Sequence, residues 1–371
     1  MQVLVERAAL LKATGRAQGV VERRTTIPIL QNLLVEAEGG GVSIKATDLD
    51  IEIVENLPGQ VARAGSVTVS AHTLHEIVRK LPDGAEVSLV SEGDGMLAVS
   101  AGRSRFTLQT LPREDFPVMA SSAFDHSFDA SVATVRRLFD KAKFAISTEE
   151  TRYYLNGVYL HVAEEEGAQK LRAVATDGHR LARVDADLPD GAAGMADVIV
   201  PRKTVGELRK LLEEDGATIT VSVSETKIRF AGQDVVLTSK VIDGAFPDYS
   251  RVIPTGNSLK LELDAGRFAG AVDRVSTVSS ERTRAVKMNL DGDRMVLSVN
   301  SPDTGSATEE LEVSFSGDPI EIGFNAKYLL EIAGQIDEQN AVFLFSDPGS
   351  PTLVREGEDT SAIYVVMPMR V

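Results

Sequence analysis

Short stretches of alternating apolar and polar residues recur along the chain, and several pass directly into helical spacing. Val67-Thr68-Val69-Ser70 leads into Ala71-His72-Thr73-Leu74-His75-Glu76-Ile77; Val198-Ile199-Val200-Pro201 leads into Arg202-Lys203-Thr204-Val205-Gly206-Glu207-Leu208; Ile322-Gly323-Phe324-Asn325 leads into Ala326-Lys327-Tyr328-Leu329-Leu330-Glu331-Ile332. Period-two alternation predicts strands. Leu74, Ile77, Val78 and Leu81, then Val205, Leu208, Leu211 and Leu212, then Leu329, Ile332, Ala333 and Ile336 fall at helical spacing. Ser70 and Asn325 stand where a side chain can cap the first free amides. Pro201, which has no amide proton, suits the early helical turn at the same place.

One unit is thus written three times. Ala46-Thr47-Asp48 returns as Ala175-Thr176-Asp177, and Phe116-Pro117 as Phe246-Pro247. Each unit also opens with a helix, at Arg7 to Val21, Ser131 to Ile146 and Asp264 to Val275; the second carries Val132, Val135, Leu138, Phe139, Ala142 and Ile146 on one stripe. Glu38-Gly39-Gly40-Gly41, Glu92-Gly93-Asp94-Gly95 and Asp291-Gly292-Asp293 read as hairpin turns between short strands. The fold class expected is α+β: three tandem domains of antiparallel sheet with two helices each, spanning 1–122, 123–252 and 253–371 with boundaries in Ser- and Pro-containing stretches.

The 371 residues, 43% of them hydrophobic and 25% charged, have enough apolar content for packed cores and exclude disorder as the main state. No apolar run approaches the roughly 20 residues of a membrane span and the N-terminus does not read as a signal peptide, so a cytoplasmic protein is expected. With no cysteine, disulfides, thiolate chemistry and cysteine-ligated metals are excluded. The net charge of -16 argues against a polyanion-binding surface only if charge is spread evenly. It is not. Arg7, Lys12, Arg16, Arg23 and Arg24 gather around the first helix; Arg136, Arg137, Lys141 and Lys143 lie on the second unit's first helix; Arg79, Lys80, Arg202, Lys203, Arg209 and Lys210 lie on second helices. Acid gathers elsewhere, as in Glu164-Glu165-Glu166, Glu213-Glu214-Asp215 and Glu309-Glu310. Each basic helix face can simply be solvated. Equivalent helices turned to one side would instead form a sequence-independent phosphate surface, since no base-reading motif accompanies them.

The five histidines have no metal-ligand spacing, and no phosphate loop, dinucleotide fingerprint or nucleophile elbow is present, so neither cofactor nor metal is expected. Asp177 beside His179 could orient an imidazole for base catalysis, but no nucleophile accompanies them. Where the second unit has Gly178-His179-Arg180 the first has Leu49-Asp50-Ile51, which points to a site used once per chain. Tyr364-Val365-Val366-Met367-Pro368-Met369-Arg370-Val371 reads as an apolar strand reaching the last residue, either a core strand or one wall of a methionine-lined peptide groove.

The triplication, Arg152-Tyr153-Tyr154-Leu155-Asn156-Gly157, Ala175-Thr176-Asp177-Gly178-His179-Arg180-Leu181-Ala182, Val200-Pro201-Arg202-Lys203, Phe246-Pro247-Asp248-Tyr249 and Met367-Pro368-Met369-Arg370 closely resemble the bacterial sliding-clamp family, the beta subunits of DNA polymerase III. The resemblance covers essentially the whole chain. It implies a head-to-tail homodimer closing a ring around duplex DNA, helices inside and sheets outside, with no catalytic residue. Its DNA contacts would be Arg24, Tyr153 and Tyr154, beside the basic residues Arg136, Arg137, Lys141, Arg202 and Lys203. Glu149 stands where the family often has glutamine, an acid that weakens the loop's hold on phosphate. A partner-peptide groove would draw on Leu155, Thr176, Gly178, His179, Arg180 and Leu181, on Pro247, Arg251 and Val252, on Asn325 and Tyr328, and on Val366, Met367, Pro368, Met369 and Arg370; Val371 replaces a common leucine. The dimer seam would join Arg103, Arg105, Phe106 and Leu108 to Thr277 and Val278. Implied partners are the polymerase III alpha subunit, the clamp loader, other polymerases, and mismatch-repair and ligase proteins, each inserting a short Gln-containing, Leu- and Phe-rich peptide. A β-rich hydrolase using Asp177 and His179, and an acidic peptide-binding scaffold without DNA, remain the rivals.

Overall fold

A computed structural model describes residues 1–119, 123–165, 167–212, 218–279 and 284–370. The expected boundary at 122, the acidic Glu213-Glu214-Asp215 and the terminal Val371 lie outside these. Six α-helices fall among the described residues: α1 (Arg7–Val20), α2 (Ala71–Lys80), α3 (Val132–Ala142), α4 (Arg202–Leu211), α5 (Ala265–Ser276) and α6 (Ala326–Ala333). Their starts follow local chemistry. Side-chain oxygens of Ser70, Ser131, Asp264 and Asn325 accept from the amides of Thr73, Thr134, Arg267 and Lys327, each filling one of the orphan donors of a helix start. Pro201 departs from expectation. It closes the strand Val198–Pro201, opposite Gly157, and the helix begins one residue later.

The chain divides into two compact units, Met1–Arg136 with Pro189–Ala196 and Lys203–Val241, and Arg137–Leu188 with Asp197–Arg202 and Ile242–Val371. Each unit contains sheet from more than one repeat. In the first, the strands Asn32–Glu38, Gly41–Thr47, Ile51–Leu57 and Gly65–Ser70 share an eight-stranded antiparallel sheet with His126–Ser131, Thr218–Val223, Lys227–Ala231 and Val235–Lys240. The join is Ile51–Leu57 against Val235–Lys240, with Ile53 opposite Leu237. In the second, Gly157–Glu165, Ala168–Thr176 and Arg180–Asp187 join a nine-stranded sheet through Asp359–Val366, with Val184 opposite Ala362. A smaller sheet completes each unit: five strands ending at Ser104–Gln109 in the first, four with Gly305–Glu312 at one edge in the second.

Alternation decides which face is buried, because a one-residue slip would expose every core side chain. Ile51, Ile53 and Leu57 are buried, as are Val69, Leu74 and Val78 across the strand-to-helix junction. The α3 stripe of Val132, Val135, Leu138, Phe139 and Ala142 is buried as its spacing predicts. α1 packs on Gly41–Thr47 and Ile51–Leu57 through Leu10, Ala13, Ala17 and Val20, and α5 packs beside α6. Phe268 of α5 meets Phe343 edge-on at 5.4 Å between ring centres, and Phe343 stacks on Phe345; all three are essentially inaccessible. The terminal strand is shorter than its composition suggests, stopping at Val366.

Removing the Phe268 ring would leave a cavity beside Phe343. Phe268→Ala should cost about 3–5 kcal/mol, read as a lowered urea midpoint; an unchanged midpoint would mean the third repeat's core does not depend on this ring.

Candidate functional site

The Thr176–Arg180 turn holds its shape by hydrogen bonds inside itself. The amides of His179 and Arg180 donate to Asp177 Oδ1 at 2.9 and 3.0 Å, the amide of Gly178 donates to Thr176 Oγ1 at 3.1 Å, and Gly178 takes φ +87°. The first repeat makes the same turn: Asp50 and Ile51 donate to Asp48 Oδ1 at 2.9 and 2.8 Å, Leu49 donates to Thr47 Oγ1 at 3.0 Å, and Leu49 is held at φ +82°. Backbone geometry therefore does not set the second repeat apart; its side chains do. Gly178 relieves a strain that Leu49 bears.

Arg180 is the largest of those differences. Its guanidinium, on a residue 7% exposed, donates to Asp177 Oδ2 at 3.1 Å, to the Phe144 carbonyl at 2.7 Å and to Glu331. It lies 4.3 Å from the centre of the Tyr328 ring, a cation–π contact, and that ring stacks on His179. Burial, then the charge of Asp177, push the Tyr328 hydroxyl pKa up. Asp177 is thus spent on backbone amides and Arg180 and does not orient the His179 imidazole, which removes the geometric basis of the hydrolase reading.

The chain end closes over this turn. Arg180 pairs with Val366, the Met367 amide donates to the His179 carbonyl at 2.9 Å, and the Met369 amide donates to the Gly323 carbonyl at 2.9 Å. These two bonds hold Met367, Pro368 and Met369, each half-buried, beside Asn325 and the strand that carries it. Leu155, Leu181 and Val366 are buried, whereas Pro247, Arg251 and Val252 are exposed, Val252 by 43%.

A neighbouring cluster was not expected from the sequence. Tyr159 stacks on His161 and on Phe246, at 4.4 and 4.8 Å between ring centres; the Tyr249 hydroxyl lies 3.0 Å from His161 Nε2; and Arg172 pairs bidentately with Asp185. The available signal was Phe246-Pro247-Asp248-Tyr249, but His161, lacking ligand spacing, gave no reason to be placed beside it.

The basic residues divide into two kinds. Arg24 and Arg202 are exposed, and Tyr153 is 54% exposed with its ring edge-on to the half-buried Tyr154. Arg137, Lys141 and Lys203 are answered locally. Arg137 donates to the Asp185 carbonyl and Ser361 and lies 3.6 Å from Asp359. Lys141, its side chain 12% exposed, meets Asp337 at 2.8 Å and Glu356 at 3.6 Å. Lys203 reaches Asp48 at 2.5 Å and Glu22 at 3.1 Å; burial opposes its charge, but the bonds to Asp48 and then Glu22 raise its pKa overall. Arg136 donates to the Leu212 carbonyl. Glu149 is likewise answered, by both Nε and Nη2 of Arg152 at 2.8 Å, bonds that hold its carboxyl below the usual range.

Arg103, Arg105 and Phe106 are exposed on or beside the edge strand Ser104–Gln109, with Leu108 half-buried. A cavity of about 420 Å³ lined by His72, Ile77, Leu81, Pro82 and Phe106 adjoins that edge. Thr277 is exposed and Val278 half-buried, the Val278 carbonyl accepting from Thr304 Oγ1. Among the described residues no cluster of three or more His, Cys, Asp or Glu could hold a metal, and no helix is long and apolar enough to cross a membrane.

The chain matches the N-terminal domain of the DNA polymerase III beta subunit over residues 1–120, the central domain over 130–248 and the C-terminal domain over 250–370. It is 55% identical to the beta sliding clamp of Caulobacter vibrioides over 372 aligned positions and 37% identical to that of Escherichia coli over 371, with the whole of each chain covered. Among solved structures, the sliding clamp of Bartonella birtlesii bound to griselimycin is similar with a TM-score of 0.96 at 49% identity, and that of Pseudomonas aeruginosa bound to griselimycin with 0.94 at 38%; coverage is complete on both sides. The chain belongs to the DNA polymerase III beta-subunit family of sliding clamps. It is a clamp that tethers polymerases, and it is not an enzyme.

Arg180→Lys keeps the charge but loses the fork that serves three acceptors. It should lower stability by about 1–3 kcal/mol in urea denaturation; an unchanged midpoint would show that the guanidinium network contributes nothing.

Proposed function

We propose that two copies of this chain close head to tail around duplex DNA and hold it by topology rather than by sequence. Three domains, 1–122, 123–252 and 253–371, supply the arc of each copy. Exposed Arg24, Arg202 and Tyr153, with the half-buried Tyr154, are the direct phosphate contacts; Arg136, Arg137, Lys141 and Lys203, already bonded within the chain, add to the local field and retain less charge for DNA. Because Arg152 answers Glu149, that acid repels phosphate less than its sequence position suggests. The dimer seam forms where the open edge Ser104–Gln109, with Arg103, Arg105, Phe106 and Leu108, meets the Thr277–Val278 region of the second copy. Its unpaired backbone and the apolar cavity beside Phe106 favour that use.

The partner groove lies over the Thr176–Arg180 turn. His179, Gly178 and Thr176, the ring of Tyr328, Asn325, and the tail Met367 to Arg370 offer contact, as do Pro247, Arg251 and Val252; Leu155, Arg180, Leu181 and Val366 support them from below the surface. The observation that carries this reading is the pinning of the soft Met367-Pro368-Met369 segment at both ends by main-chain bonds, which presents adaptable apolar side chains at little entropic cost. The occupants are the short Gln-containing, Leu- and Phe-rich peptides of the polymerase III alpha subunit, the clamp loader, other polymerases, and mismatch-repair and ligase proteins. The work is done in the cytoplasm, without cofactor or metal.

Three measurements test this. Protein loaded on nicked circular DNA should remain bound and be released when the circle is cut; retention on linear DNA with free ends would sink the topological reading. Deleting Met367 to Val371 should abolish binding of a Gln-, Leu- and Phe-containing peptide while the dimer persists, and unchanged affinity would reject the groove. Combining Arg24→Ala with Tyr153→Ala should weaken DNA affinity across sequences and reduce its salt slope by about 1; an unchanged slope would remove Arg24 from the phosphate contacts.

A further inference from the structure

The segment 246–252, which carries the exposed Pro247, Arg251 and Val252, lies against a sheet face through two aromatic rings. Phe246 stacks on Tyr159 with only 6° between the planes, while Tyr249 meets Tyr159 edge-on. Tyr159 is itself anchored, donating its hydroxyl proton to Asp197 Oδ2 at 2.8 Å. These contacts place the segment but leave the direction of the Tyr249 hydroxyl open, and hydrogen-bond accounting closes it.

His161 is 8% exposed, and its Nδ1 lies 3.2 Å from the Val162 carbonyl. A carbonyl only accepts, so Nδ1 carries the proton and Nε2 is the acceptor. The Tyr249 hydroxyl, 3.0 Å from Nε2, must therefore donate to it, which leaves its oxygen free to accept from Arg172 Nη1 at 3.4 Å. Arg172 is held in turn by both oxygens of Asp185 and by Glu165. One directed chain results, from Arg172 to Tyr249 to His161 to the Val162 carbonyl, and each member has one role.

We propose that Tyr249 is a positioning residue for peptide binding, holding Pro247, Arg251 and Val252 in place through neutral His161, and that protonation of His161 releases this lip. The inference rests on the groove assigned above. The charged and titratable groups around the imidazole are Arg172, Asp185, Asp197, Tyr159 and Tyr249. When Nε2 gains a proton it becomes a donor facing a hydroxyl that already accepts from Arg172, so the Tyr249 proton loses its acceptor and two cations are brought close. Burial chiefly, with the Arg172 charge, lowers the His161 pKa; the Val162 carbonyl and the carboxylates of Asp197 and Asp185 oppose that only in part. Since the folded pKa lies below the unfolded one, the neutral arrangement is fully present above the ordinary histidine range and is lost as pH falls through the lowered value.

The test is fluorescence anisotropy of a labelled short peptide containing Gln, Leu and Phe on the full chain and on Tyr249→Phe, from about pH 5 to about pH 8, with melting followed alongside. Wild-type affinity should fall toward acid. Tyr249→Phe should bind about three- to tenfold more weakly at neutral pH and show a flatter profile, with a cooperative melt that is retained at a somewhat lower temperature. His179 is present in both proteins, so only the pH dependence lost in the variant reports on the His161 relay. If wild type binds and the variant matches it in affinity and profile, this inference is overturned and the groove stands; if wild type does not bind, the groove itself fails. Imidazole nitrogen shifts supply an independent check should the variant fold poorly: a neutral His161 protonated on Nε2 in the wild type would overturn the proposal.

Discussion

Unpaired backbone at a sheet edge is costly to bury and prone to pair with whatever strand comes near, and the repeats of this chain use that constraint to join one another. Ile51–Leu57 is completed by Val235–Lys240, and Arg180–Asp187 by Asp359–Val366, so a strand from one repeat becomes an interior strand only when the next repeat arrives. These joins carry the two matching turns of Asp48 and Asp177, each leading into a joined strand. The Lys240 amide donates to the Asp50 carbonyl as the Met367 amide donates to that of His179. The peptide groove proposed at one such join is a specialisation of a junction the fold makes anyway.

What specialises it is side-chain chemistry on an unchanged backbone. At the first junction the free oxygen of Asp48 takes Lys203; at the second the corresponding oxygen of Asp177 takes Arg180 from within its own turn. An arginine can serve Asp177, Glu331 and a carbonyl at once and still lie on the Tyr328 ring, which a lysine's point charge cannot do. Removing either partner of such a buried arrangement would strand the other, so the network specifies geometry more than it adds net stability.

The same accounting reshapes the electrostatic picture. A chain with a net charge of -16 approaches a polyanion only through cations left unneutralised by their own neighbours, and counting lysines and arginines per helix overstates these. Arg137, Lys141 and Lys203 lie in the predicted basic set yet hold acids of the same chain, while Arg24 and Arg202 stay exposed. Closure around DNA asks little of each contact, because escape is opposed by topology and sliding requires that no phosphate be held tightly.

Local signals were legible in the amino-acid order: alternation and helical stripes for strands and helices, Ser70 and Asn325 as caps, glycine in the hairpin turns, and the threefold recurrence of the unit. They depend on residues close in sequence, where period and hydrogen-bonding chemistry suffice. Pro201 and the length of the last strand were misread because pairing with distant chain decides where the strands ending at Pro201 and Val366 stop. Which cations are answered by acids of the same chain, how Arg180 is shared among Phe144, Glu331 and Tyr328, and the union of Tyr159, His161, Arg172 and Tyr249 were settled only by tertiary structure, since each requires partners distant in sequence to meet in space.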